Sequence, residues 1–210
     1  MIHRISDFKT SVRHLFLAAL VTTLVGGCDS APIEESWFEG GDEPPPTEQT
    51  LVMTARILAA KGDYGQAGFI VERMLLEFPD RPGTYTEGAE VLLQEGRVSD
   101  AIEFLDLGLE RLPGHPVLLN DRGLCQLLNG DLPAASSDFS AALAVDPDDA
   151  DYVANCALAA ALEGREDEAR ALWSRVLPPA SVAENLRIAR LARPRFEAFE
   201  DAGPTSEIQD

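Results

Sequence analysis

The chain has 210 residues, 45% hydrophobic and 25% charged, enough to bury one sizeable core beside a leader and a tail. Seventeen basic residues stand against 36 acidic ones, a net charge of −19, which speaks against a nucleic-acid partner and leaves a folded acidic module. Three cysteines and three histidines are widely spread, with no repeated pairs at metal-ligand spacing and no phosphate loop or Gly-x-Ser-x-Gly elbow, so no metal, cofactor, small-molecule substrate or enzyme chemistry is expected.

Residues 1–14 carry Arg4, Lys9 and Arg13 against Asp7 alone, and Leu15 to Val25 (LFLAALVTTLV) is an unbroken apolar run. The run is shorter than the roughly 20 residues a membrane-spanning helix needs, so residues 1–27 read as a signal peptide outside the fold. Val25-Gly26-Gly27-Cys28 resembles the lipobox of bacterial lipoproteins. The resemblance implies that Cys28 is lipidated and becomes the mature N-terminus. Acyl chains contribute about 0.8 kcal/mol per buried methylene, which would hold the protein on a membrane facing the periplasm. Asp29 resembles a retention signal of enteric inner membranes, a rule that varies among bacteria, so inner and outer membranes both remain open. Without residues 1–27 the chain keeps 14 basic and 35 acidic residues, a charge of −21.

Residues 28–47, the lipidated cysteine and an acidic stretch ending in Pro44-Pro45-Pro46, form a spacer of extended polyproline character. Trp37-Phe38 within it is either an incidental contact or a docking motif.

From residue 48 the sequence repeats without a gap. Gly62, Gly96, Gly130 and Gly164 are spaced by 34, as are Ala67, Ala101, Ala135 and Ala169, and Pro79, Pro113 and Pro147. Each glycine suits the left-handed end of a first helix, each alanine a close helix crossing, and each proline the end of a second helix. Through GDYGQA (62–67), EGRVSDA (95–101), NGDLPAA (129–135) and EGREDEA (163–169) the chain resembles the tetratricopeptide repeat family, whose period is 34. The expected fold is an all-α superhelix with units at 48–81, 82–115, 116–149 and 150–180. Phe139 and Trp173 occupy the place where the family usually has an aromatic, filled in the first two units by Val71 and Leu105. Ser181-Val182-Ala183-Glu184 reads as a capping box that opens the capping segment 181–194, whose helix stops before Pro194 and covers the last repeat; 195–210 reads as an acidic tail.

The resemblance implies a groove lined by the first helix of each unit. In the first two units the lining positions are Gln49, Val52, Arg56, Ala59 and Ala60, then Gly83, Thr86, Glu90, Leu93 and Gln94. In the third and fourth they are mostly aliphatic, and the candidate partner-binding groove is Asn120, Leu124, Leu127, Ala154, Asn155, Leu158 and Leu162. The amides of Asn120 and Asn155 suit reading a peptide backbone, because a carboxamide both donates and accepts. Leu124, Leu127, Leu128, Leu158 and Leu162 read as inter-repeat core ahead of ligand contacts. The Lys, Arg and Asn clamp with which chaperone-binding members hold a C-terminal carboxylate is missing, with only Arg56 and Asn120 available.

Asp146 to Asp151 lacks the glycine and terminal glutamate of a calcium loop and matches an inter-repeat turn. Cys125 and Cys156, on first helices of neighbouring units, read as two buried thiols rather than a bridge. A lipobox followed by a short repeat array resembles the lipoproteins that assist pilus and secretion machines, and by its size, residues 119–169 (LNDRGLCQLLNGDL to EGREDEA) and the closing ENLRIARLA (184–192) the chain resembles the tight-adherence (Flp/Tad) pilus assembly lipoproteins, TadD-like. That likeness implies a membrane-anchored periplasmic adaptor with a protein partner, assisting a secretin machine. The alternative is an accessory scaffold of a cell-wall or envelope enzyme complex.

Overall fold

A computed structural model describes residues 45–202. Residues 1–27, read as a signal peptide, together with Cys28, Trp37-Phe38 and the end of the expected tail, lie outside them. Nine helices are present among the described residues: α1 (Glu48–Ala60), α2 (Tyr64–Glu77), α3 (Pro82–Gln94), α4 (Val98–Arg111), α5 (Pro116–Leu128), α6 (Leu132–Val145), α7 (Ala150–Leu162), α8 (Glu166–Val176) and α9 (Pro179–Ala202). The first eight form four hairpins, α1–α2 to α7–α8, stacked in chain order. No described helix is long and apolar enough to cross a membrane.

Local rules at repeated positions explain the boundaries. Residues 47, 81, 115 and 149 each precede the first helix of a hairpin. Thr47 and Asp149 cap with their side chains, accepting from the N–H groups of Thr50 and of Asp151 and Tyr152. Arg81 and His115 do not cap; each is followed by a proline, Pro82 or Pro116, which has no N–H to satisfy. Before the second helices, Asp63 and Asp131 accept from the N–H of Gln66 and Ala134. In the other two hairpins Arg97 and Arg165 hold the place and instead brace the first-turn acids Asp100 and Glu168. Each second helix ends two residues short of Pro79, Pro113 or Pro147, and the intervening Phe78, Leu112 and Asp146 leave the helical region, as a residue before proline does.

The glycine at the end of each first helix lies in the left-handed region, with φ of 77° at Gly62 and 88° at Gly164. Its N–H and that of the next residue close a Schellman turn: Gly96 N–H donates to the Leu93 carbonyl at 2.9 Å and Arg97 N–H to that of Leu92 at 2.8 Å. Nothing lies within 4 Å of a Cβ built on Gly96, so a side chain there meets only conformational strain. Gly96→Ala is expected to cost about 1 kcal/mol. Gly68→Ala, inside α2 with the same open space, is expected to gain up to about 1 kcal/mol from helix propensity. Urea midpoints moving in the same direction for both would refute this account of the turn.

Ala67, Ala101, Ala135 and Ala169 have no exposed surface, and Val71, Leu105, Phe139 and Trp173 fill the cores one turn further on. Helix α9 differs from expectation at both ends. It starts at Pro179, because proline suits a first helical position, so Ser181 lies inside the first turn rather than capping it. It also continues through Pro194 to Ala202. The bond lost there is the one to the Arg190 carbonyl, on an exposed side of the helix where water can take it. The stretch expected as tail from residue 195 is therefore helical as far as Ala202.

Candidate functional site

Helices α1, α3 and α5 line a cleft of about 250 Å³. Its apolar wall is Ala89 and Leu93 of α3 and Val117, Leu124 and Cys125 of α5. Its polar groups are Arg56 of α1, Thr86 and Glu90 of α3 and Asp121 of α5. Val117, Asp121 and Leu124 share a face because i, i+4 and i+7 recur on one side of a helix.

The charges are unevenly matched. Arg56 donates from Nε to Oε2 of Glu87 at 2.8 Å. Glu87 is 1% exposed and its Oε1 has no partner. Burial raises its carboxyl above the usual range, against the Arg56 hydrogen bond that lowers it. Glu90 accepts from Gln94 Nε2 at 3.0 Å. Asp121 has only the distant amide of Asn120, at 3.5 Å. Burial pushes the Asp121 carboxyl up to about 6, opposed by the Asn120 hydrogen bond and reinforced by Glu90. Among the described residues neither Glu90 nor Asp121 is in a salt bridge.

The expected groove residues divide between cleft and core. Leu124 is 36% exposed and stands on the cleft wall. Leu162 is 4% exposed, in the cluster that holds Val182, Leu186 and Ala189 of α9, and is core rather than groove. Leu127, Ala154 and Leu158 are half-buried against the same cluster. Helix α9 packs on α7 and α8 in the place of a further repeat, which is why the last unit offers so little open surface. Asn120 and Asn155 meet, but each other: Asn155 Nδ2 donates to Asn120 Oδ1 at 2.7 Å, and Asn120 is only 7% exposed. This hydrogen bond links α5 to α7 and occupies the Asn120 oxygen and one N–H of Asn155. Asp121 was absent from the sequence-based groove. Its signal was the spacing from Val117 and Leu124, since it sits one residue beyond a family lining position on the same face.

Cys125 and Cys156 are buried free thiols in different core clusters. Burial pushes the Cys125 thiol up to about 11, unsuited to nucleophilic chemistry.

Residues 58–120 match the tetratricopeptide repeat family. A mouse (Mus musculus) FK506-binding protein-like protein is 41% identical over 69 residues, which make up 33% of this chain and 20% of that protein's length. Among solved structures, a thermophilic TPR protein of Thermus thermophilus is similar with a TM-score of 0.57 at 22% identity, over 70% of this chain and 83% of that one. MamA gives a TM-score of 0.55 at 16% identity, over 73% and 88% of the two chains. YrrB, a TPR protein with an unusual peptide-binding site, gives 0.53 at 16% identity, over 73% and 82%. The fold is an all-α tetratricopeptide-repeat superhelix, and the comparisons point to no catalytic family.

Proposed function

We propose that this protein is a lipid-anchored adaptor on the periplasmic side of a bacterial envelope, which holds a peptide or helix of a partner in the α1–α3–α5 cleft and assists assembly of a pilus or secretion machine. The observation that carries the binding role is the cleft itself, a concave surface on which Val117 and Leu124 stay exposed next to half-buried Leu93 and a few polar groups. YrrB, of the same fold, is described by its peptide-binding site, which accords with this use. The anchor rests on the Val25-Gly26-Gly27-Cys28 motif behind an apolar run, and the pilus assignment on the pairing of that motif with a short repeat array. The cell-wall scaffold is the competing reading.

The test is in-cell crosslinking of the tagged full-length protein, followed by detergent extraction and mass spectrometry. Recovery of a secretin or pilus subunits, lost in both Cys28→Ser and Leu124→Glu, supports the proposal. Recovery of cell-wall enzymes replaces it with the scaffold reading, and recovery of abundant porins alone overturns both. Leu124→Glu is expected to change stability by less than about 1 kcal/mol, because the side chain already meets water. Leu158→Glu, half-buried against the α7–α9 core, is expected to lose about 2–3 kcal/mol, which separates a groove residue from a packing one in thermal melts.

A further inference from the structure

We propose that the cleft takes a partner segment in which a Lys or Arg is flanked by aliphatic side chains, the cation lodging between Glu90 and Asp121 while Leu93, Val117 and Leu124 hold its apolar neighbours. This rests on the cleft being the partner site and adds the chemistry of what enters it. Three observations converge. Glu90 of α3 and Asp121 of α5 both line the cleft, and neither is in a salt bridge among the described residues. Arg56, the one cation among the lining residues, is paired with Glu87 at 2.8 Å and forms no salt bridge with either carboxylate. Glu90 is exposed and Asp121 half-buried, and the wall beside them is aliphatic, so a cation arriving there brings its flanking side chains against apolar surface. An acidic C-terminal peptide would meet repulsion at the same two carboxylates. The chain's net charge of −19 also draws basic partners from a distance.

The site is pH-sensitive in a defined direction. Asp121 is faced by Glu90 from α3 and Arg56 from α1, and by the Tyr152 hydroxyl and Asn155 from α7, with Asn120 and Cys125 on its own helix. A carboxyl held at about 6 is protonated below that pH and loses its attraction for a cation. Partner affinity is therefore expected to fall as pH drops through about 6 and to be full above it, with a proton released on binding.

The experiment uses the full mature chain in detergent and three fluorescent amphipathic peptides of leucine and alanine, identical except for lysine, glutamine or glutamate at one repeated position. Anisotropy titrations are run at about pH 7.5 and about pH 5. The lysine peptide is expected to bind about tenfold more tightly than the glutamine peptide and to lose that advantage in Asp121→Asn. Asp167→Asn, a charge-matched control on the exposed face of α8, is expected to leave it intact. The pH dependence is expected to flatten in Asp121→Asn as well, with circular dichroism checking that the variant is folded. Equal binding of the lysine and glutamine peptides, or equal losses in Asp121→Asn and Asp167→Asn, overturns the cation site. If Leu124→Glu still abolishes binding in that case, the cleft survives as the partner site. If no peptide binding responds to Leu124→Glu, the cleft reading fails too.

Discussion

Phe139→Ala is expected to remove about 3–5 kcal/mol of stability, the largest loss from any single truncation in the array. The ring has no exposed surface and joins Leu132 and Ala135 of its own helix to Ala157, Ala160 and Trp173 of the last hairpin. Its other face lies on the backbone of α5, where a Cβ built on Gly123 would come within 2.6 Å of Cε1 and 2.8 Å of Cδ1. A glycine inside a helix costs about 1 kcal/mol relative to alanine, and here that cost is offset by letting an aromatic ring approach the chain. Gly123→Ala in the native background is therefore expected to destabilise by about 1–3 kcal/mol through overpacking. In the Phe139→Ala background the same change is expected to be neutral or stabilising by up to about 1 kcal/mol, because the space is open and only the helix gain remains. Urea denaturation of the four proteins in this cycle checks the sign reversal. An equal loss in both backgrounds would mean that something other than the ring excludes the methyl group.

The second large effect is expected at Arg122. This side chain on α5 donates from Nε and Nη2 to the two oxygens of Asp138 on α6, both at 2.7 Å, and from Nη1 to Asp106 on α4 at 2.6 Å. The Asp138 carboxylate is 8% exposed, so Arg122→Ala strands a charge that water cannot reach and is expected to cost about 3 kcal/mol. Asp106 is half exposed, and Asp106→Asn is expected to cost under about 1 kcal/mol. The double change Arg122→Leu, Asp138→Leu is expected to recover most of the loss, since a matched apolar pair leaves no charge behind. High salt should weaken the Asp106 arm and leave the Asp138 arm largely unchanged. A double variant no better than Arg122→Ala would show that the clamp acts by packing rather than by pairing.

Some of this was legible in the chain. The 34-residue spacing of glycine, alanine and proline placed eight helices and the turns between them, and the buried aromatics Phe139 and Trp173 followed from their distance to the repeated alanine. The groove was legible as a face and not as a surface. Leu124 and Leu162 both stand at lining positions of that pattern, yet one is on the cleft and the other lies in the core that α9 covers. The hydrogen bond between Asn155 and Asn120 spans 35 positions, and nothing along either helix signals it. At α9 a capping box and a proline both signal a helix terminus, and the structure overrides both. The start was taken by Pro179, and the proline at 194 was carried by a helix already anchored through Arg190 and Arg193 to Glu166 of α8, whose carboxyl the Arg190 hydrogen bond holds down at about 2.

The sequence by itself determined the helical hairpins, their caps, the left-handed glycines and the close crossings, because each depends on neighbours within about six positions or on a strict period. Tertiary structure alone decided which faces stay open, which carboxylates keep a cation and which do not, and how Arg122 binds α4, α5 and α6 together. Exposure and ion pairing belong to side chains brought together from separate units, and a period that places every unit alike carries no record of what covers the last one.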